Sequence, residues 1–321
     1  IKQYLKMKNL NQIIGFVIMV ILIASCNKEN PKESQKKTPN KIKYSSGINP
    51  NLVFENFDTF PLNKKIKIEK KGATTKSGEY YLDTVYSKLH NSKGSLASVL
   101  NSVDERRVQR AEIALDIDNF IKNDFSSIAF DFLVPKTFMV DDDNNRRETM
   151  IFQIHSEPEK NQTWDFYRQH MPFNRPSIAI YLGKKDEIYY LSLRYGLNGD
   201  EGLEYENYRW FLAGFKEIKP EEWYTIKLGF KLSLNNTGYI QGWINGETFT
   251  PSNGMHNRVY GTNMHNNALP YFKMGLYRAW ADTHKHEVFY DNLVFEKKIE
   301  KLLNAEELEL IGNYPFVPFH L

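Results

Sequence analysis

The chain holds a single cysteine, Cys26, in 321 residues, so no disulfide staples it and its stability must come from a packed core. It has no long apolar run. The longest, Ile13 to Ile23, falls short of the ~20 residues that a membrane-spanning helix needs. Charge of neither sign dominates: the net charge of +3 does not suggest a nucleic-acid partner, and it suits an anionic ligand only weakly, because many lysines sit near the two ends. No internal repeat is present. The polar run Asp141-Asp142-Asp143-Asn144-Asn145-Arg146-Arg147 lacks the glycine and the distal glutamate of an EF-hand loop and reads as a solvated loop. His256, His265, His284 and His286 show no metal-ligand spacing.

Aromatics, in contrast, are plentiful: 19 Tyr and 21 Phe bring the aromatic share to 14%. They lie in short, alternating segments between turn signals, which is the pattern of an all-β protein, and the length suits one large β domain. At the start, Lys2, Lys6 and Lys8 precede the apolar run, and Ala24-Ser25-Cys26 follows it. A basic segment, a short apolar segment and small residues before a cysteine resemble a bacterial lipoprotein signal. Met7 then reads as the start of translation and Cys26 as the lipidated residue. Asn27 to Ser46 has almost no apolar residues and reads as a flexible tether. The expected organisation is a signal peptide over 1–26, a tether over 27–50 and a β domain over 51–321. The expected location is the bacterial cell envelope, with the lipid as the only membrane contact and the domain as a monomer.

Period-two alternation predicts strands over Glu79–Thr84, Leu96–Val99, Val108–Ile117, Ser127–Val134, Met150–Ser156, Ser177–Leu182, Ile188–Tyr195, Glu222–Lys231, Tyr271–Tyr277 and Glu287–Phe295. Gly238–Ile244, Asn245-Gly246 and Glu247–Phe249 read as a hairpin through an Asn-Gly turn. The segments 157–176 and 251–269 read as polar loops, Asn198 to Gly202 as a turn cluster, and Leu302–Ile311 as a short helix.

Three of these strands carry polar groups with the same parity. One offers Arg110 and Glu112. In the second, Met150, Phe152 and Ile154 are expected to face a core while Gln153 and His155 face away from it. The third places Tyr271, Lys273 and Tyr277 on one face and Phe272, Met274 and Leu276 on the other, with Gly275 as a gap where a ligand could approach. If the strands are neighbours, their open faces make a floor of Arg, Gln, His, Lys and Tyr. That inventory suits β-elimination at a uronic acid. Arg and Gln donors neutralise the carboxylate and stabilise the enolate-like intermediate, a His or Tyr base removes the C5 proton, and a Tyr hydroxyl protonates O4.

Arg110-Ala-Glu112, Gln153-Ile-His155 and Tyr271-Phe-Lys273-Met-Gly-Leu-Tyr277 resemble the motif strands of jelly-roll polysaccharide lyases. The last two are similar to signatures of alginate lyases. Gly275-Leu276-Tyr277-Arg278, Tyr290-Asp291-Asn292-Leu293 and Gly242-Trp243-Ile244-Asn245-Gly246 fit the heparin lyase I-like and glucuronan lyase group better. The resemblance covers about Phe54 to Phe295 and implies a concanavalin-like β-jelly-roll sandwich with a concave substrate cleft. It implies Gln153 as carboxylate binder with Arg110 assisting, His155 as base or its partner, and Tyr277 as acid and as a second candidate for the base. Lys273 and Tyr271 would hold the chain, with Arg278 beside them. Glu112 would orient Arg110 within the substrate-binding group. No cofactor is required, though Asp291 is a position where a structural Ca²⁺ would fit the group. After Arg110-Ala-Glu112 the alginate lyases carry a second Arg where Ala114 and Leu115 stand here, which puts alginate in doubt.

The expected activity is therefore a polysaccharide lyase on glucuronan or another glucuronate chain. The rivals are a non-catalytic carbohydrate-binding lipoprotein of the same fold and an alginate lyase. A sandwich does not by itself imply catalysis, and the His155/Tyr277 pair is what a binding module does not need. A sandwich glycoside hydrolase needs flanking carboxylates, and the Glu-x-Asp-x-Glu strand of such enzymes is absent. Trp223 and Trp243 read as packing residues.

Overall fold

The computed structural model describes residues 52–55, 57–58, 66–68, 80–85, 93–102, 108–115, 125–139, 148–166, 176–197, 209–249, 258–280 and 282–298. All belong to the unit Ile48–Leu321. The leader with Cys26, the tether, the 141–147 loop, the 198–202 turn cluster, His256 and the expected helix at 302–311 lie outside the described residues.

Sixteen strands follow in order: β1 Leu52–Glu55, β2 Ile66–Ile68, β3 Tyr80–Val85, β4 Ser95–Leu100, β5 Gln109–Leu115, β6 Phe125–Leu133, β7 Thr149–His155, β8 Ile178–Lys185, β9 Ile188–Leu197, β10 Arg209–Ile218, β11 Trp223–Lys231, β12 Tyr239–Ile244, β13 Glu247–Thr248, β14 Val259–Tyr260, β15 Tyr271–Arg278 and β16 His286–Lys298. Among the described residues they form two antiparallel sheets, a β-jelly-roll sandwich. The nine-stranded sheet runs β13-β12-β11-β6-β16-β4-β3, with β1 on β16 and β14 on β12; the seven-stranded sheet runs β10-β9-β8-β7-β15-β5-β2. The three polar-faced strands thus stand side by side as β7, β15 and β5.

Alternation sets which face is buried. In β11, Ile226, Leu228 and Phe230 are fully buried and the intervening Lys227 is exposed. The β12–β13 hairpin turns through Asn245 (φ 50°) and Gly246 (φ 83°), the two left-handed residues that a type I′ turn requires. Between the sheets runs a chain of rings. Phe130 stacks on Phe152 at 5.5 Å, Phe152 meets Phe272 at 5.8 Å, and Tyr290 lies 5.9 Å from Phe130 and 5.6 Å from Phe132. Each ring buried in this way contributes about 1.5–3 kcal/mol of transfer free energy. Trp223 packs beside Leu133 and Phe289, and Trp243 lies under Lys227 with the ammonium 5.7 Å from its ring. Both are half-buried and lie on the nine-stranded sheet, not on the sheet of β7, β15 and β5.

Two places depart from simple alternation. In β7, Met150 pairs with Tyr181 and Phe152 with Ile180, so Ile151 is an extra residue. A bulge turns two successive side chains to one side. Ile151 and Phe152 both enter the core, and Met150, expected there, lies on the opposite face instead, paired with Tyr277. In β10 the register slips between Leu212 and Gly214, with Ala213 buried. That slip breaks the period-two pattern, and it explains why this ten-residue strand is absent from the sequence-based expectation.

Candidate active site

The site is built on the outer face of the seven-stranded sheet, where β15 is flanked by β7 and β5. Directly opposite residues share a face. Tyr271 pairs with His155, Lys273 with Gln153, and Tyr277 with Met150. On the other side Gly275 pairs with Glu112 and Tyr277 with Arg110. Arg110, Glu112, Gln153, His155, Tyr271, Lys273 and Tyr277 therefore share one face.

They fall into two groups. In the first, the Gln153 amide Nε2 donates to Glu112 Oε1 at 2.5 Å, across the position of Gly275, which has no side chain to obstruct it. Gly275 has φ +137°, and a Cβ there would lie 2.1 Å from the Ala111 carbonyl oxygen. Arg110 sits over the Tyr277 ring, its Cζ 5.1 Å from the centroid. Burial pushes the Tyr277 hydroxyl above its ordinary pKa; Arg110 pulls it down by charge and by a hydrogen bond, and Glu112 pushes it up. Glu112 was expected to orient Arg110 and to touch substrate. It is instead fully buried, and its carboxylate takes the Gln153 amide.

The second group lies further along β7. The His155 ring is 5.9 Å from Tyr271 and 6.2 Å from Trp164, and the Lys273 ammonium lies 5.0 Å from the Tyr271 ring centroid. Nδ1 of His155 is 2.7 Å from the Ser156 carbonyl oxygen. A carbonyl only accepts, so Nδ1 carries the proton and Nε2 is the basic nitrogen. His155 lies five residue steps along β7 from Met150, the residue opposite Tyr277, which is about 16 Å of strand at ~3.3 Å per residue.

Arg278 does not reach this face. It is fully buried, donating from Nε to Gln109 Oε1 at 2.6 Å, from Nη1 to the His284 carbonyl and from Nη2 to the Asn101 carbonyl. Asp282 lies 3.8 Å from its guanidinium and 2.9 Å from His286 Nε2, and Thr149 Oγ1 is 2.9 Å from His286 Nδ1. The expectation that Arg278 binds substrate fails because the parity of β15 turns it inward. His286, one residue before the strand expected over Glu287–Phe295, opens β16 and is buried here. Asp291 is buried opposite Asp131, and among the described residues no group of three or more His, Cys, Asp or Glu converges as a metal site.

Two residues to which sequence reasoning gave no role in the site support the floor from the core side. Tyr290 Oη donates to the Ile151 carbonyl at 2.9 Å and takes the Gly275 backbone N–H. Ser98 Oγ donates to the Ala111 carbonyl at 2.6 Å and accepts the Leu276 N–H at 2.9 Å. Both come from the facing sheet and satisfy backbone groups at the two irregularities, in β7 and in β15. Trp164, in a short helical turn after β7, also goes beyond the sequence expectation of a polar loop.

A family model described as "Polysaccharide lyase" matches residues 54–294. Among solved structures, an endo-β-1,4-glucuronan lyase from the fungus Trichoderma reesei is similar at TM-score 0.54 and 13% identity, over 77% of this chain and 95% of that one. An alginate lyase from Pseudomonas aeruginosa gives TM-score 0.43 and 12% identity, over 64% and 83%. At 13% identity the likeness to the glucuronan lyase speaks for the fold alone. No curated protein matches the chain in sequence.

Proposed function

Because the chain belongs to the polysaccharide lyase family, we propose that its substrate is a 4-linked glucuronate chain and that Tyr277 handles the proton. The observation that carries this reading is the grouping of Tyr277 with Arg110, Glu112 and Gln153 on adjacent strands of one face. Gln153, its amide held by Glu112, and Arg110 take the uronate carboxylate and stabilise the charge that develops when H5 leaves. Tyr277 removes H5 and returns the proton to O4 as the glycosidic bond breaks, leaving a C4–C5 double bond.

Stereochemistry fits glucuronate, and equally any 4-linked uronate with the same configuration at C4 and C5, β-D-mannuronate included. In a 4-linked β-D-glucuronate, H5 and O4 lie on the same side of the ring, so the elimination is syn and a single floor of side chains serves both atoms. An epimer at C5 eliminates anti and needs groups on both faces of the sugar. His155, about 16 Å along the strand from the residue opposite Tyr277, joins Lys273 and Tyr271 in holding the neighbouring part of the chain. No cofactor enters this scheme.

The test is a panel of uronate polysaccharides followed by the ultraviolet absorbance of an unsaturated uronate. Glucuronan is expected to give the signal and guluronate-rich alginate none. A signal from alginate alone would make the protein an alginate lyase. Binding without any signal would make it a carbohydrate-binding lipoprotein. The proposal also places the domain at the cell envelope through a lipid on Cys26. Cys26→Ser is expected to move the folded protein from the membrane pellet to the soluble fraction, and a variant that still pellets removes the anchor.

A further inference from the structure

Among the described residues, the face that carries Tyr277 extends further on one side, over β7, β8, β9 and β10, than on the other, over β5 and β2. Following directly opposed residues outward, Arg110 pairs with Tyr277, Tyr277 with Met150, Met150 with Tyr181, Tyr181 with Ser192 and Ser192 with Phe215. These six residues form one lateral row across β5, β15, β7, β8, β9 and β10, perpendicular to the strands. From Tyr277 to Phe215 the row spans four strand intervals, about 19 Å at ~4.8 Å each. A polysaccharide with its scissile bond at Tyr277 and one arm turned across the strands, away from the Lys273 and His155 side, would pass over this row for several sugar units.

The far end of the row is shaped for a sugar ring. Tyr190, which pairs with Gly183, shares the face and stacks on Phe215 with ring centroids 5.0 Å apart and planes 30° apart. The Tyr190 ring lies over β8 in the space that a side chain at 183 would fill: a Cβ there would come within 2.3 Å of Tyr190 Cζ. Glycine at 183 is therefore explained by the ring that covers it. Phe215 is 38% exposed and Leu212 beside it 39%, so the platform is open to solvent. Between platform and site, Arg194 lies over the Tyr181 ring at 4.6 Å and is paired with Glu148. Its charge is already matched, and Glu217, opposite Tyr190, adds an exposed carboxylate at the rim. This end of the floor offers aromatic ring faces, with Lys185 and Glu217 exposed at its rim.

We propose that Tyr190 and Phe215 form a distal stacking subsite for a pyranose unit of the same polysaccharide, several units from the cleaved bond. The inference rests on the reading of Tyr277 as the cleavage point. The subsite adds affinity for long chains and takes no part in the chemistry. Contact with an aromatic face contributes by shape and dispersion, so its share of the affinity is insensitive to salt, unlike the share of Lys273 and Arg110.

The test measures kcat and KM of the wild-type protein, Phe215→Ala, Tyr190→Ala and Gly183→Ala on a long polymer and on a trisaccharide that cannot reach from Tyr277 to Phe215. Phe215 is exposed, so its variant keeps the fold even if Gly183→Ala does not. The expected result is a rise in polymer KM of about two- to tenfold, an unchanged kcat, unchanged trisaccharide kinetics, and the same ratio at low and high salt. Equal effects on both substrates, or no effect of Phe215→Ala on the polymer, overturn the subsite. The measurements use whichever uronate polymer the wild-type protein cleaves, so a failure of glucuronan as substrate registers separately, in the wild-type arm.

Discussion

Gln153 Nε2 reaches across β15 to Glu112 Oε1, 2.5 Å away, passing over Gly275. The bond joins two strands that are not neighbours, and the lack of a side chain at 275 leaves its path clear. It fixes which end of the Gln153 amide points toward Glu112 and leaves the second N–H of Nε2 for a substrate carboxylate. A buried carboxylate thereby serves as a positioning residue for the amide.

Glu112→Gln is expected to lower kcat/KM about fivefold, because a charge-assisted bond becomes a neutral one. Since Glu112 also raises the Tyr277 hydroxyl, the alkaline limb of the pH profile should move to lower pH in the same variant. Glu112→Ala should cost stability as well, about 1–3 kcal/mol, because it strands a buried amide. A limb that stays in place in Glu112→Gln would remove Glu112 from the electrostatics of Tyr277.

Much of this was legible in the sequence. Alternation alone put Arg110, Glu112, Gln153, His155, Lys273 and Tyr277 on shared faces, and the strands that carry them are neighbours. The failures have local causes. Met150 changed face because one bulge residue shifts every side chain before it. Strand β10 escaped because the slip at Ala213 interrupts its period. Arg278 was misassigned because a charged residue beside Tyr277 looked like part of the floor, while strand parity and a buried set of acceptors held it inside. Tyr290 and Ser98 carry no period-two signal at all, since their roles arise only when the second sheet packs against the first.

Tyr290→Phe is expected to destabilise the fold by about 1–3 kcal/mol, because the Gly275 N–H and the Ile151 carbonyl lose a buried partner while the ring packing remains. Gly275→Ala should be worse, since its Cβ meets the Ala111 carbonyl at 2.1 Å in a left-handed backbone. Denaturant melts of the two variants check both magnitudes. A Tyr290→Phe variant as stable as wild type would show that the irregularities hold without the hydroxyl.

The Arg278–Asp282–His286 cluster predicts acid lability in two steps. Burial pushes the His286 ring below its ordinary pKa despite Asp282, so the ring binds a proton more readily in the unfolded chain. Its contribution is complete above about pH 6.5 and falls as pH drops below that. Burial pushes Asp282 up, but the His286 bond and charge, the His284 backbone N–H and Arg278 outweigh it and hold the carboxyl at about 2. Its contribution is complete above about pH 3.9 and is lost from there down to its folded value. Melting temperature against pH should show both slopes, and Asp282→Asn should flatten the lower one. Asp282→Ala should cost about 3–5 kcal/mol, as expected on breaking a buried charged pair.

The decisive chemistry lies with Tyr277. Tyr277→Phe removes one oxygen and keeps the ring under Arg110, so chain binding should survive while turnover falls by about 10²–10⁴-fold. If the phenolate removes H5, kcat/KM must climb through the alkaline range, because burial raises the hydroxyl above its ordinary pKa of about 10. Arg110→Ala should push that limb further up, since the guanidinium is what pulls the hydroxyl down. His155→Ala, being displaced along the strand, should cost less than Tyr277→Phe on a glucuronate chain. On a C5 epimer, whose elimination is anti, a second group must act from the other side; His155 shares the Tyr277 face, so such chains should not be turned over. Near-wild-type turnover by Tyr277→Phe on every polymer cleaved would pass the proton-transfer role to His155, whose Nε2 is already the basic nitrogen.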